Sequence, residues 1–196
     1  MRTRGRPRAF DRERALVAAT NLFWTRGYDG TSLADLTEAM GISPSSLYAA
    51  FGDKKTLFRE AVMGYAQRYT TLHIEAVAEP TAREAVERLL RTTADEFTDA
   101  DRPTGCLTVS AAMTGGSDTI DVREALRTQQ EAHARILSER IEADVAGGLL
   151  PGDTDAGALT DWVQTLWQGL SNQANNGVSR ERLHTIITTA LAAWPR

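Results

Sequence analysis

Apolar residues recur every three or four positions along most of the chain, which is the pattern of amphipathic helices packed on a core. The first such segment begins after Asp11, which is placed to cap a helix, and ends at Gly27, a residue type that often ends helices. A second, shorter segment begins after Thr31 or Ser32 and ends at Gly41. These spacings predict one longer helix followed by a short one.

Ser43 and Pro44 predict the N-cap and first residue of a third short helix, which reaches Phe51, because the missing N–H of proline costs nothing in a first turn. Asp53 then caps a long fourth helix that reaches about residue 78 before Pro80 stops it. Further apolar stripes predict helices near residues 81–97, 106–113, 120–145, 159–170 and 183–194. No segment alternates with the period of a strand, so the sequence predicts an all-α protein of about nine helices.

The two short helices within residues 31–51 are separated only by Gly41-Ile42-Ser43. A tight turn of this kind is typical of a helix-turn-helix, whose second helix enters the major groove of DNA. An ordinary helical hairpin has the same pattern, so the turn alone leaves both interpretations open. Apolar positions can pack the unit together, which leaves outward positions for base edges and phosphates. Those outward positions are Ser43, Ser45, Ser46, Tyr48 and Ala49.

The segment around this turn carries further short motifs. They are Ala18-Ala19, Leu22-Phe23, Arg26-Gly27-Tyr28, Gly30-Thr31-Ser32, Met40-Gly41-Ile42-Ser43, Leu47-Tyr48, Phe51, Asp53-Lys54 and Leu57-Phe58. With these motifs, residues 10–58 resemble the DNA-binding domain of the TetR family of transcriptional repressors nearly end to end. Two positions depart from the family pattern. Thr37 stands where alanine is usual, and Pro44-Ser45-Ser46 is short in side chains, so base readout is expected to use few direct contacts.

The charge distribution agrees with a DNA-binding N-terminal part, although the whole chain has a net charge of −4. Residues 1–60 carry ten Arg and Lys against seven acids, net +3, and residues 61–196 carry twelve against nineteen, net −7. Residues 1–8 form a basic arm, in which Arg4 and Arg6 are expected to contact DNA, in the minor groove or through general charge. A disordered tail with little effect beyond its charge remains the alternative for this arm.

The resemblance implies which side chains contact the DNA backbone. Tyr48, Lys54 and Thr31 are expected to contact phosphates, while Ser43, Ser45 and Ser46 complete the candidate DNA-binding residues. Lys54 lies in the first turn of the fourth helix, where the helix dipole disfavours a cation and attracts an anion. A phosphate bound at this end of the helix would explain why a lysine occupies the position. The alternative for Lys54 is a solvated surface lysine.

The resemblance also divides the chain into three parts and predicts a homodimer. The three parts are the arm at residues 1–8, the helix-turn-helix domain at 9–53, and a ligand-binding and dimerisation domain at 54–196. In the family, the last two helices pair with their copies in a four-helix interface; burial within one subunit is the alternative. The expected interface residues are Leu159, Val163, Leu166, Trp167, Leu170, Leu183, Ile186, Ile187, Ala190 and Trp194.

A small-molecule effector is expected between the long helices, although aromatic residues at helical spacing are more often plain core. Its apolar contacts are expected from Tyr65, Tyr69, Met113, Trp162 and Trp167, and its polar contacts from Gln129, Gln130 or His133. The single cysteine, Cys106, follows Gly105 at the start of a predicted short helix, where the helix dipole favours a reactive thiolate and Arg102 is near in sequence. Cys106 is therefore either a sensor of electrophiles or oxidants or a small buried apolar residue.

Other classes of protein find little support in the sequence. One cysteine excludes an intrachain disulfide and a cysteine zinc site, and no segment has the apolar length of a membrane span or the form of a signal peptide, so a cytoplasmic protein without a membrane partner is expected. No catalytic, metal-binding or phosphate-cradling motif is present, so no enzyme activity, metal or cofactor is expected. The sequence predicts a repressor released from its DNA operator by a small molecule; an architectural DNA-binding protein without a ligand is the weaker alternative.

Overall fold

The computed structural model describes residues 10–113 and 116–196, with the backbone alone at residues 112 and 113. Within these ranges the chain forms nine α-helices, one short 3-10 helix at Ser117–Thr119 and no strand, which confirms the predicted all-α fold. The helices are α1 (Arg12–Arg26), α2 (Leu33–Met40), α3 (Pro44–Phe51), α4 (Lys54–Ala76), α5 (Ala82–Phe97), α6 (Leu107–Met113), α7 (Ile120–Ala146), α8 (Ala156–Asn175) and α9 (Arg180–Leu191).

Local capping contacts set the ends of the N-terminal helices. Ser32 caps α2 in a capping box with Asp35, and Gly41 ends α2 in the left-handed conformation, with φ of 65°. Ser43 caps α3 by accepting a hydrogen bond from the Ser46 N–H. The end of α4 differs from the prediction, because the helix stops at Ala76, about two residues early.

Helices α1–α3 pack on the first half of α4 in an N-terminal core. Phe23 of α1 meets Phe58 of α4 edge to face, with ring centroids 5.0 Å apart, and Leu36 and Leu47 are fully buried at the centre. The starts of α6 and α7 close this core from the other side. Their buried members are Leu107, Ala111, Val122 and Leu126.

A second core lies among the remaining half of α4 and helices α5, α7, α8 and α9. Trp167 of α8 sits at its centre, edge to face with Tyr69 of α4 at 5.5 Å and tilted against Phe97 of α5 at 6.2 Å. Tyr69 and Phe97 are almost fully excluded from solvent. Helix α4 therefore supplies buried residues to both cores.

A polar contact joins α4 to α7 inside this apolar surrounding. The rings of His73 and His133 stack 4.1 Å apart at an angle of 16°. Gln129 donates to the hydroxyl of Thr70 at 2.7 Å, and that hydroxyl lies 2.9 Å from His133 Nε2. Because the Thr70 hydroxyl accepts from Gln129, its own O–H is free to donate a hydrogen bond to His133 Nε2, which accepts as the unprotonated nitrogen of a neutral imidazole. Burial and the neighbouring His73 lower the pKa of His133 to about 4.

None of the helices in the described ranges is long and apolar enough to cross a bilayer. Across residues 10–113 and 116–196 there is also no group of three or more histidine, cysteine, aspartate or glutamate side chains arranged to hold a metal ion.

The low pKa of His133 predicts that acid weakens the fold. Between about pH 6.5 and 4 the unfolded chain binds a proton at this histidine that the folded chain does not, so stability must fall as pH falls through this window. We expect the melting temperature to fall less steeply with acid in His133→Gln than in the wild type, as measured by circular dichroism. The carboxylates and His73, whose pKa burial also lowers, titrate in both proteins, so the difference between the curves reports on His133 and its effect on His73. Parallel curves would contradict the prediction.

Candidate functional site

The second helix of the predicted helix-turn-helix presents small and hydroxyl-bearing side chains to solvent. Leu47 and Phe51 point into the N-terminal core, while Ser45, Tyr48 and Ala49 are exposed on the opposite side of α3. Tyr48 is 50% exposed, an unusual position for so large a side chain. This face is the surface that the sequence predicted would meet DNA.

A lysine stands beside this face at the start of α4. The ammonium of Lys54 lies over the ring of Tyr28, 4.1 Å from its centroid, so a cation–π contact holds it in place. The next residue, Lys55, pairs instead with Asp121 of α7 at 3.0 Å. Lys54 therefore combines a fixed position with a place at the N-terminal end of α4, where the helix dipole favours an anion such as a phosphate oxygen.

Thr31 does not fit the phosphate role that the resemblance implied. Its side chain is 1% exposed, and its hydroxyl donates to the carbonyl of Gly27 at 2.7 Å. The side chain thus closes the turn between α1 and α2 from within, and the expectation of a direct phosphate contact is corrected. Arg4 and Arg6 lie outside the described residues.

The interior brings together several of the residues expected to bind an effector. Tyr69, Gln129, Gln130, His133 and Trp167 line one small cavity between α4, α7 and α8. Its volume is about 10 Å³, which is room for a single water, so this cavity is closed to any larger ligand in this conformation. The buried indole N–H of Trp167 has no hydrogen-bond partner there, and such a group is costly to leave unpaired.

Other members of the expected effector site lie elsewhere. Trp162 is on the far side of α8, half-buried beside Trp194 at a ring distance of 6.3 Å, so its assignment to the cavity is wrong. The hydroxyl of Tyr65 meets that of Tyr69 at 2.8 Å, at the edge of the interior. The side chain of Met113 lies outside the described residues.

Cys106 is a core residue in this structure. It is fully excluded from solvent, and its sulfur lies 3.0 Å from the hydroxyl of Thr108. Burial raises the pKa of its thiol above the ordinary value, which outweighs the hydrogen bonds that favour the thiolate. Arg102 pairs with Asp99 at 3.5 Å. Of the two alternatives for Cys106, this conformation agrees with the small buried apolar residue and not with the sensor, because the protonated thiol is a poor nucleophile.

Most of the predicted interface residues in and after α8 and α9 are buried in the core of their own subunit. The alternative of burial within one subunit is correct for these residues, because each helix has one wide apolar face and gives part of it to its own core. The inward residues are Val163, Trp167, Leu170, Leu183, Ile187 and Trp194. The half-buried residues left on the outer side are Leu159, Leu166, Ile186 and Ala190.

One contact at the junction of the two cores was missed by the sequence reasoning. The indole of Trp24 donates to the carbonyl of Thr104, 80 residues away, at 3.1 Å, and its ring meets Tyr65 edge to face at 4.8 Å. The only signal in the sequence was a tryptophan on the polar side of α1. Trp24 connects the N-terminal core to the loop that precedes Cys106.

Comparisons with known proteins agree with this geometry. A family model described as bacterial regulatory proteins, tetR family, matches residues 15–61. The chain is 35% identical to the HTH-type transcriptional repressor ComR of Escherichia coli K12, over 99% of this chain and 93% of ComR. It is 30% identical to the repressor BdcR of the same strain, over 97% of this chain and 91% of BdcR.

A solved structure extends the similarity to a complex with DNA. It is a cysteine-substituted form of the TetR family transcriptional regulator CifR, complexed with a 26-bp double-strand operator. The two proteins share 47% sequence identity and superpose with a TM-score of 0.88, over 97% of this chain and 100% of CifR. Full-length similarity to named repressors accompanies the exposed reading face of α3, and the chain therefore belongs to the TetR family, as a DNA-binding transcriptional regulator and not an enzyme.

Proposed function

We propose that the chain is a homodimeric repressor that binds an operator through two copies of α3 and is released from it by a small molecule. The observation that carries the proposal is the exposed face of α3 next to the positioned ammonium of Lys54. The operator complex of CifR, which shares this fold at 47% identity, supports it. Because its DNA is cytoplasmic in a bacterium, the protein acts in the cytoplasm.

The proposed division of labour follows the order of the chain, although the first half of α4 also packs in the N-terminal core. Residues 1–8 are the basic arm, residues 9–53 bind DNA, and residues 54–196 bind the effector and the second subunit. Tyr48 and Lys54 contact phosphates, which set the position of α3 on the duplex. Ser43, Ser45 and Ser46 face base edges and phosphates, while Arg4 and Arg6 add sequence-independent attraction or enter the minor groove.

The second subunit is proposed to bind the outer side of α8 and α9. Leu159, Leu166, Ile186 and Ala190 are half-buried there, so much of their apolar surface remains to be covered. A two-fold contact through this face places two α3 helices on one duplex, and successive major grooves on one side of DNA repeat every ~34–36 Å. Two linked reading helices bind far more selectively than one.

The effector is proposed to open the closed cavity beside Trp167. Entry of any organic molecule must displace the packed side chains of α4, α7 and α8, because the cavity has room for about one water. Helix α4 runs from this cavity to Lys54, and Trp24 ties α1 to the loop before α6. A shift at the cavity therefore alters the spacing of the two reading helices and lowers affinity for the operator.

We expect Tyr48→Ala and Lys54→Ala to weaken operator binding about tenfold or more, since each loses a hydrogen bond to a charged phosphate. In a dimer, Lys54→Ala should also reduce the slope of log affinity against log salt by about 1.8, or about 0.9 for each lost phosphate contact. Fluorescence anisotropy with an operator selected from random duplexes measures both quantities.

Matched variants separate these contacts from general effects. Tyr48→Phe keeps the ring and loses only the hydroxyl, so it should lose most of the affinity that Tyr48→Ala loses. Arg83→Ala removes one positive charge from α5, where Arg83 pairs with Glu87, and should leave affinity and slope unchanged. Wild-type affinity and salt slope in Lys54→Ala would refute its phosphate contact.

We expect Leu166→Glu and Ile186→Glu to give folded monomers in sedimentation experiments, because a charge on the outer face of α8 or α9 would be buried without a partner in the dimer. Ile74→Glu introduces the same charge at a 56% exposed apolar position of α4 and should remain dimeric. If both α8 and α9 variants remained dimers, the subunits would have to meet elsewhere.

We expect an effector, found by its release of labelled operator, to bind several-fold more weakly to Trp167→Phe, which deletes the unpartnered N–H and keeps an aromatic ring. Because the smaller ring also loses packing against Tyr69, operator affinity without the effector is measured in each protein alongside effector affinity. Trp162→Phe, on the outer side of α8, is the matched control and should bind the effector as the wild type does. Equal affinity in all three proteins, measured by calorimetry, would place the effector away from this cavity.

A further inference from the structure

The reading helix lacks the side chains that most often recognise bases. Residues 41–52, which hold α3 and both of its flanks, contain no arginine, lysine, asparagine, glutamine, aspartate, glutamate or histidine. Arginine and lysine are the usual partners of guanine, and asparagine and glutamine those of adenine. Direct reading from α3 is therefore left to hydroxyl and methyl groups.

The hydroxyl groups on this helix are partly engaged with one another. Ser43 Oγ lies 2.9 Å from both Ser45 Oγ and Ser46 Oγ, and it accepts a hydrogen bond from the Ser46 N–H. A hydroxyl can also donate or accept, so it tolerates several base edges. These serines therefore discriminate weakly among base pairs.

Ala49 is the exposed methyl-bearing residue beyond the first turn of α3, whereas Pro44 lies at its first position. Ala49 is exposed one turn after Ser45, on the same side of α3, and Leu47 and Phe51 face the other way into the core. Its methyl group cannot form a hydrogen bond, and the C5-methyl of thymine is the apolar feature of the major-groove edges. On the basis of the proposed function of α3, we propose that Ala49 is a specificity-determining residue, whose side-chain methyl selects thymine by contacting the C5-methyl of that base.

With this role for Ala49, different residues supply the affinity for DNA and the preference for one base pair. Lys54 and the basic arm supply attraction to phosphates that does not depend on sequence, while the methyl contact of Ala49 adds a small preference at one base pair of each half-site. A dimer makes the contact twice. The operator is therefore expected to contain a symmetry-related pair of thymines at which other bases weaken binding.

The test replaces thymine by deoxyuridine, one symmetric pair at a time, in a duplex selected with the wild-type protein. Deoxyuridine keeps every hydrogen-bonding group of thymine and lacks only the methyl. Losing the burial of one methyl group lowers affinity about fourfold, so one pair of replacements should weaken dimer binding by roughly fifteenfold, measured by fluorescence anisotropy. No loss at any thymine pair would overturn the inference.

Variants of the protein connect that loss to Ala49. In Ala49→Gly the sensitive pair should tolerate deoxyuridine with no further loss, and Ala49→Ser, which keeps the β-carbon but adds a hydroxyl, should show a reduced sensitivity. Ala50→Gly carries the same helix penalty in α3 at a half-buried position and should keep the full sensitivity. Full sensitivity that persists in both Ala49 variants would assign the methyl contact to another residue and overturn the inference.

Failure of the broader proposal has a different signature. If α3 does not meet DNA at all, Tyr48→Ala binds the selected duplex as tightly as the wild type, and both the function of α3 and the role of Ala49 are overturned. If Tyr48→Ala weakens binding while deoxyuridine has no effect at any pair, α3 remains the reading helix and only the thymine contact is lost.

Discussion

The structure depends on the participation of one continuous helix, α4, in two hydrophobic cores. Phe58 in its first half packs on Phe23, and Tyr69 in its second half packs on Trp167. A helix of 23 residues spans about 35 Å and bends little, and close-packed cores do not absorb displacement gradually. A change around Tyr69 must therefore move the N-terminal unit or break one of the two packing contacts.

A second connection limits how the two cores can move. Gly105 adopts a φ of 75°, and a side chain there would begin 2.2 Å from Asn175 Oδ1, so the loop before α6 lies directly against the end of α8. The neighbouring carbonyl, that of Thr104, accepts the indole hydrogen bond of Trp24. Helix α8 thus touches the loop that holds α1, and it also carries Trp167 at the cavity. The cavity beside Trp167, the outer face of α8 and the N-terminal helices α1–α3 are therefore connected through α8 and the loop before α6.

The features that sequence reasoning predicted are those decided by neighbouring residues. The bounds of α2 and α3 follow from Ser32, Gly41 and Ser43, whose capping contacts span three or four positions. Residues whose partners are distant were not predictable. The apolar face of α8 is wide enough to hold both Leu166 and Trp167, so its pattern did not show that Trp167 faces its own core while Leu166 faces outward. Likewise the local dipole favoured a thiolate at Cys106, but burial by distant residues decides its pKa.

The distribution of charge explains how a net negative protein can approach DNA through a reading helix without charges of its own. Residues 61–196 carry a net charge of −7, which repels a duplex, while residues 1–60 carry +3, so the approach is favoured only from the N-terminal end. Lys54, held over Tyr28, places one of these charges beside α3. Because the exposed face of α3 adds no ionic attraction, a wrong sequence gains little there, and in the proposed role of Ala49 discrimination rests on the fit of its methyl group against base edges.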